Sequence, residues 1–85
     1  TIFLAVNSQT KTLIAGPEIH ARGVAENDSV FDSIIPKVTK AVEEALESGT
    51  TDQYQLQQVV RRTVGRWVSS KLRRKPMIVP MVVIV

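Results

Sequence analysis

The chain has 85 residues, 44% of them apolar, no cysteine, and a formal net charge of +3. A single domain of this size buries only roughly 60–65% of the surface its unfolded chain exposes, so its own core is modest. The lack of cysteine excludes a disulfide-stapled scaffold and a thiolate metal site, and is compatible with the cytoplasm. The longest apolar run, Met77 to Val85, falls far below the roughly 20 residues of a membrane-spanning helix. A soluble domain without membrane contact is expected. A chain that opens on Thr1 without a signal sequence reads as a fragment or a processed product.

Thr1 to Val6 is rich in β-branched and aromatic residues and predicts a strand. Asn7 to Lys11 is a polar hairpin break. Residues 12–22 predict one bent second strand, because Gly16-Pro17 marks a bulge rather than an end. Val24 to Asp28 is a loop. Ser29-Val30-Phe31-Asp32 fits a capping pattern ahead of Phe31, Ile35, Val38, Val42 and Ala45/Leu46, spaced as one helical face. Pro36 leaves two options. A helix from Val30 kinked at the proline is favoured over one capped at Ser33 with proline in its first turn. Gly49 is a natural stop.

Asp52 and Gln55 form a second capping pattern. The helix beyond them aligns Leu56, Val60, Val64, Trp67 and Lys71 on one side, and Arg62, Arg66 and Arg73 on the other. Gly65 on the arginine side suggests close approach of another backbone. Pro76 ends the helix, and the last nine residues predict a third strand. The fold class is therefore α+β, a three-stranded sheet with two helices packed on one face, in the order β-β-α-α-β. The last strand is expected beside the first.

Two strands are apolar on both faces. Ile2, Leu4 and Val6 oppose Phe3 and Ala5, while Met77, Val79, Met81, Val83 and Val85 oppose Ile78, Pro80, Val82 and Ile84. Helices cover only one face, so the other is expected to dock on a second copy or on the rest of a larger protein. The candidate interface residues are Phe3, Met81, Val83 and Val85. Pro80 suits an edge or a bulge.

Charge divides the chain. Residues 1–52 carry four cations and all eight acids, a net −4, whereas residues 53–85 carry seven cations and no acid. Either the halves pair with each other, which is the favoured reading, or the basic half faces nucleic acid. Candidate RNA contacts are Arg62, Arg66, Arg73 and Arg74. Tyr54 lies a helix length from Arg74, and Trp67 faces the core, so stacking aromatics are not placed beside them.

Catalytic signals are lacking. His20 is the one histidine, and no nucleophile elbow, P-loop or dinucleotide fingerprint occurs. Glu43 and Glu44 read as a solvated helix face. On a strand, Glu18, His20 and Arg22 share one face, opposite Pro17, Ile19 and Ala21. That row is a polar surface or domain contact, with an RNA phosphate contact from His20 and Arg22 as the alternative. No catalytic, cofactor-binding or metal-ligating residue is assigned.

Gly16-Pro17-Glu18-Ile19, then Arg22-Gly23, two amphipathic helices, Gly65-Arg66 before Trp67, and Arg73-Arg74-Lys75-Pro76-Met77-Ile78-Val79-Pro80 together resemble the C-terminal domain of ribonuclease J. The resemblance covers nearly the whole chain. It implies a cytoplasmic metallo-β-lactamase ribonuclease of RNA maturation and decay, combining endonucleolytic with 5′-to-3′ exonucleolytic cleavage. It further implies two zinc ions in a β-lactamase domain upstream, none in this segment, and RNA as substrate of the parent enzyme. Residues 1–85 would then be a single accessory domain, sheet against two helices, associated with homo-oligomerisation and with docking on the catalytic domain. Val24-Ala25-Glu26-Asn27 departs from the aromatic-containing continuation of the family, so contacts made there are not carried over. The competing readings are an independent RNA-binding module and a docking module for a degradation complex.

Overall fold

A computed structural model of the chain describes residues 1–20, 31–71 and 78–85. Its elements are β1 (Ile2–Asn7), β2 (Thr12–Ile19), α1 (Ile35–Glu47), α2 (Gln53–Lys71) and β3 (Pro80–Ile84). They form a three-stranded sheet of order β2-β1-β3, with β1 and β2 antiparallel and β1 and β3 parallel. The fold is α+β in the expected order, and the last strand does lie beside the first.

Local chemistry explains the first hairpin. The Asn7 carboxamide oxygen accepts the backbone N–H of Gln9 and of Thr10, and Lys11 turns the chain at φ 60°. Asparagine suits this place because its side chain mimics a backbone turn acceptor. β2 then departs from simple alternation twice. Phe3 pairs with Glu18 and Ala5 with Ala15, so three steps on β2 match two on β1; next Val6 pairs with Leu13, leaving Ile14 without a partner. Two bulges thus bend the strand, one of them at the cis Gly16-Pro17 peptide. β2 ends at Ile19, and residues 21–22 of the expected strand lie outside the described residues. Residues 20 and 1 still exchange backbone bonds, His20 N–H to Thr1 O at 2.9 Å and the Thr1 amino group to His20 O at 2.8 Å.

α1 begins at Ile35, not Val30, and Pro36 sits in its first turn instead of kinking it. Proline is tolerated there because its missing N–H has no intrahelical acceptor to lose. The N-cap is Ile34, without a side-chain cap, so Ser33 does not play that part. Ser29 and Val30 lie outside the described residues. With this start, Ile34 takes the buried place and Ile35 is half exposed. At the other end Gly49 adopts φ +97°, and the N–H groups of Gly49 and Thr50 bond to the carbonyls of Leu46 and Ala45. That is the left-handed glycine stop expected of the sequence.

α2 starts where its cap predicts. Asp52 Oδ2 accepts the Gln55 N–H at 2.9 Å. Replacing Asp52 with Ala should lower unfolding free energy by about 1 kcal/mol. Urea unfolding followed by circular dichroism would read this, and an unchanged midpoint would refute the cap's contribution.

Both helices lie on one face of the sheet, α1 against β2 and α2 against β3. Ile2, Leu4, Val6 and Val82 meet Val38, Val42 and Leu46 of α1 and Leu56, Val60, Val64, Trp67 and Val68 of α2. Lys71, expected on that side, is exposed, and Val68 is buried instead. Gly65 meets a side chain rather than a backbone: its nearest neighbour is Ile78 Cδ1, 3.5 Å from where a Cβ would stand. Phe31 stacks on Trp67 with ring centroids 5.6 Å apart and planes tilted by 48°. No polar or charged residue is buried among the described residues.

The sheet's outer edge at β3 is specifically blocked. Ile2 N–H bonds to Val79 O, Val85 N–H to Val6 O, and Ser8 N–H to Val85 O. Odd-numbered residues therefore turn their backbone groups toward β1, and even-numbered ones toward the free edge. Pro80 has no N–H to present at that edge. The Val82 carbonyl is taken by the Gln53 side-chain amide at 2.6 Å.

Candidate interaction surfaces

The outer face of the sheet is the first surface. Period 2 along β3 buries Pro80 and Val82 and leaves Met81 49%, Val83 44% and Val85 66% exposed, with Val79 before them on the same side. Phe3 pairs with Met81 and Ala5 with Val83 in the parallel register, so β1 extends the same apolar face. Phe3 is half-buried. On β2 the face turns polar at Glu18, opposite Phe3. The four expected interface residues therefore lie together, on two adjacent strands.

Glu18 and His20 stand side by side as strand alternation requires, His20 Nε2 at 4.0 Å from Glu18 Oε2, both exposed. Pro17 is buried on the opposite side and Ile19 packs against the core. Arg22 lies outside the described residues. Among the described residues no three His, Cys, Asp or Glu side chains gather to hold a metal. One imidazole and one distant carboxylate do not form a zinc site.

Glu43 is more than a solvated side chain. Its Oε2 accepts the Leu13 N–H of β2 at 3.3 Å. A bulged edge strand leaves a donor off the ladder, and here the covering helix supplies its acceptor. Glu44, by contrast, makes an exposed pair with Lys40 at 3.9 Å.

The third surface is the outward side of α2. Arg61, Arg62 and Arg66 are exposed there. Arg73 and Arg74 lie outside the described residues. Among the described residues the ion pairs are His20–Glu18 and Lys40–Glu44, both within residues 1–52. Among the described residues no ion pair joins the basic half to the acidic half, while Arg22, Glu26, Asp28 and Lys75 also lie outside them. At the N-terminal end of the same side, Thr50, Tyr54, Gln55, Gln58, Val59 and Arg62 line a shallow groove. Tyr54 is 66% exposed. Along the helix, Tyr54 falls in an i, i+4, i+8 row with Gln58 and Arg62.

No helix among the described residues is long and apolar enough to cross a membrane.

Comparison with known proteins agrees with the residue pattern. The family described as the ribonuclease J C-terminal domain matches residues 1–85. Ribonuclease J of Mycobacterium tuberculosis is 37% identical over 82 residues, covering 96% of this chain and 15% of its own length. Ribonuclease J of Mycolicibacterium smegmatis is 40% identical over 70 residues, 81% of this chain and 12% of that protein. Ribonuclease J2 of Bacillus subtilis is 31% identical over 84 residues, 95% of this chain and 15% of that protein. The chain thus spans about 15% or less of the length of these relatives. With its bulged Gly16-Pro17 strand, two helices and final parallel strand, the chain belongs to the ribonuclease J C-terminal domain family.

Proposed function

We propose that this chain is a non-catalytic accessory domain of a ribonuclease J-like enzyme active in RNA maturation and decay in the cytoplasm, and that it joins copies of that enzyme through the outer face of its sheet. The observation that carries the reading is the exposed apolar row Val79, Met81, Val83 and Val85 beside Phe3. Large apolar side chains left in water in one contiguous strip favour removal from it by roughly 25 cal/mol per Å² buried. The catalytic step, with endonucleolytic and 5′-to-3′ exonucleolytic cleavage and the zinc ions the resemblance implies, belongs in this reading to the rest of the complete protein. In the same reading, residues 1–85 are assigned no ligand to the zinc ions.

Sedimentation of the complete protein tests the assignment. A double Met81→Asp, Val83→Asp variant should shift the association equilibrium toward monomer by at least tenfold, since two carboxylates would be desolvated in the contact. Both positions are exposed in the single chain, so the fold itself should survive, as circular dichroism would report. Unchanged association in a folded variant would overturn self-association through this face. A variant that associates normally but loosens proteolytic protection of the remaining protein would assign the face to docking within one copy.

A further inference from the structure

The outward side of α2 is a single-stranded RNA contact, we infer, with Tyr54 as a stacking platform and Arg61, Arg62 and Arg66 as phosphate ligands. The inference rests on the reading of the chain as part of a ribonuclease J-like enzyme, and adds to it a binding surface on this domain.

The side is continuous. At about 100° per residue, Tyr54, Gln58, Arg61, Arg62 and Arg66 fall within roughly 140° of helix surface, opposite buried Val60. From Tyr54 to Arg66 the helix rises about 18 Å. No acidic residue occurs anywhere in α2. The nearest carboxylate in sequence, Asp52, is engaged in capping the Gln55 N–H. The three guanidinium groups have no carboxylate within ion-pair distance among the described residues.

Charge alone would equally suit an acidic protein surface. Three further features select RNA. An aromatic ring left 66% exposed at one end of a basic row offers a face to a base, and such stacking is tolerant of sequence. Gln55 and Gln58 line the groove beside it, and their amides offer both donors and acceptors of the kind a base edge pairs with. Arg62 closes the same groove, and its planar fork matches phosphate oxygens two at a time. An acidic helix or loop would use the arginines and leave ring and amides idle.

The test uses the complete protein and a thiouridine-substituted oligouridylate, crosslinked by a light flash and mapped by mass spectrometry. The expected result is a crosslink on the α2 peptide carrying Tyr54, kept in Tyr54→Phe and lost in Tyr54→Ala. The triple variant Arg61→Ala, Arg62→Ala, Arg66→Ala should bind the oligonucleotide about tenfold more weakly or worse. Its slope of log affinity against log salt should fall by about 2, from the loss of three phosphate contacts. Its sedimentation should match the parent, which separates this surface from the sheet face. RNA cleavage with no crosslink in α2 would overturn the inference and leave the ribonuclease reading standing. So would a triple variant with the parent's affinity and salt slope. Loss of association in the triple variant, with RNA binding intact, would reassign the side to a protein contact. A complete protein that neither binds nor cleaves RNA would overturn the ribonuclease reading itself.

Discussion

Replacing Trp67 with Ala is expected to lower the unfolding free energy of this domain by about 3–5 kcal/mol. The whole stability of an 85-residue domain lies at roughly 4–13 kcal/mol, so this one truncation removes a large share of it. Trp67 is 8% exposed and closes the core beside Val64 and Val68, near the C-terminal end of α2. Its partner Phe31 lies in the turn before α1, so the ring pair ties the two helical segments together across the core. Removing the indole leaves a void, because Phe31 is itself 3% exposed and has no solvent-side alternative. Phe31→Ala should cost a comparable amount. The double variant should cost about 0.5–1.5 kcal/mol less than the two singles together, which is the coupling typical of an aromatic pair. Urea unfolding by far-ultraviolet circular dichroism measures all three, and strict additivity would show that the rings merely share a core.

The second large effect is expected at Gly16. Its φ of +78° is left-handed backbone, which costs an alanine roughly 1–2 kcal/mol. In addition, an alanine Cβ would stand 2.6 Å from the Phe3 carbonyl oxygen and 3.1 Å from Leu4 Cα. Those are backbone atoms of the central strand, and Leu4 is wholly buried, so neither neighbour can swing aside. Gly16→Ala should therefore destabilise by about 2–4 kcal/mol. Gly49 is the control: its φ is +97°, yet nothing lies within 4 Å of its Cβ position. Gly49→Ala should cost only about 1 kcal/mol, from backbone conformation alone. Equal costs at the two sites would show that the contact with β1 is relieved by a shift of β2.

Most of the architecture was legible from spacing. Asp52, Gln55 and the Leu56-Val60-Val64-Trp67 face specify α2 almost completely, because a cap and a 3.6-residue period are local signals. The apolar faces on both sides of residues 2–6 and 77–85 pointed to strands with one uncovered face, while the sheet order was not legible from sequence. Pro36 was harder, since a proline is compatible with a kink or a first turn, and only the burial of Ile34 rather than Ile35 decides between them. Glu43 was hidden for a different reason. Its role depends on which donor the bulges of β2 leave unpaired, and that is a property of register, not of helix sequence. On the candidate surfaces, Met81, Val83 and Val85 were visible through period 2 alone. The proposed part of Tyr54 depends on its helix face toward Arg62 and on its 66% exposure, which spacing alone does not report.

The blocked edge of β3 has a consequence for stoichiometry. A strand laid along it would find no donor at Pro80 and an occupied carbonyl at Val82. The opposite edge, β2, is bent by two bulges and has its Leu13 N–H taken by Glu43. Both margins are thus interrupted, which disfavours the addition of copies one after another into an open-ended ribbon. Contact through the apolar sheet face consumes that face in both participants at once. In the proposed pairing through that face, association would stop at two copies, and a higher concentration would raise the number of pairs rather than their length.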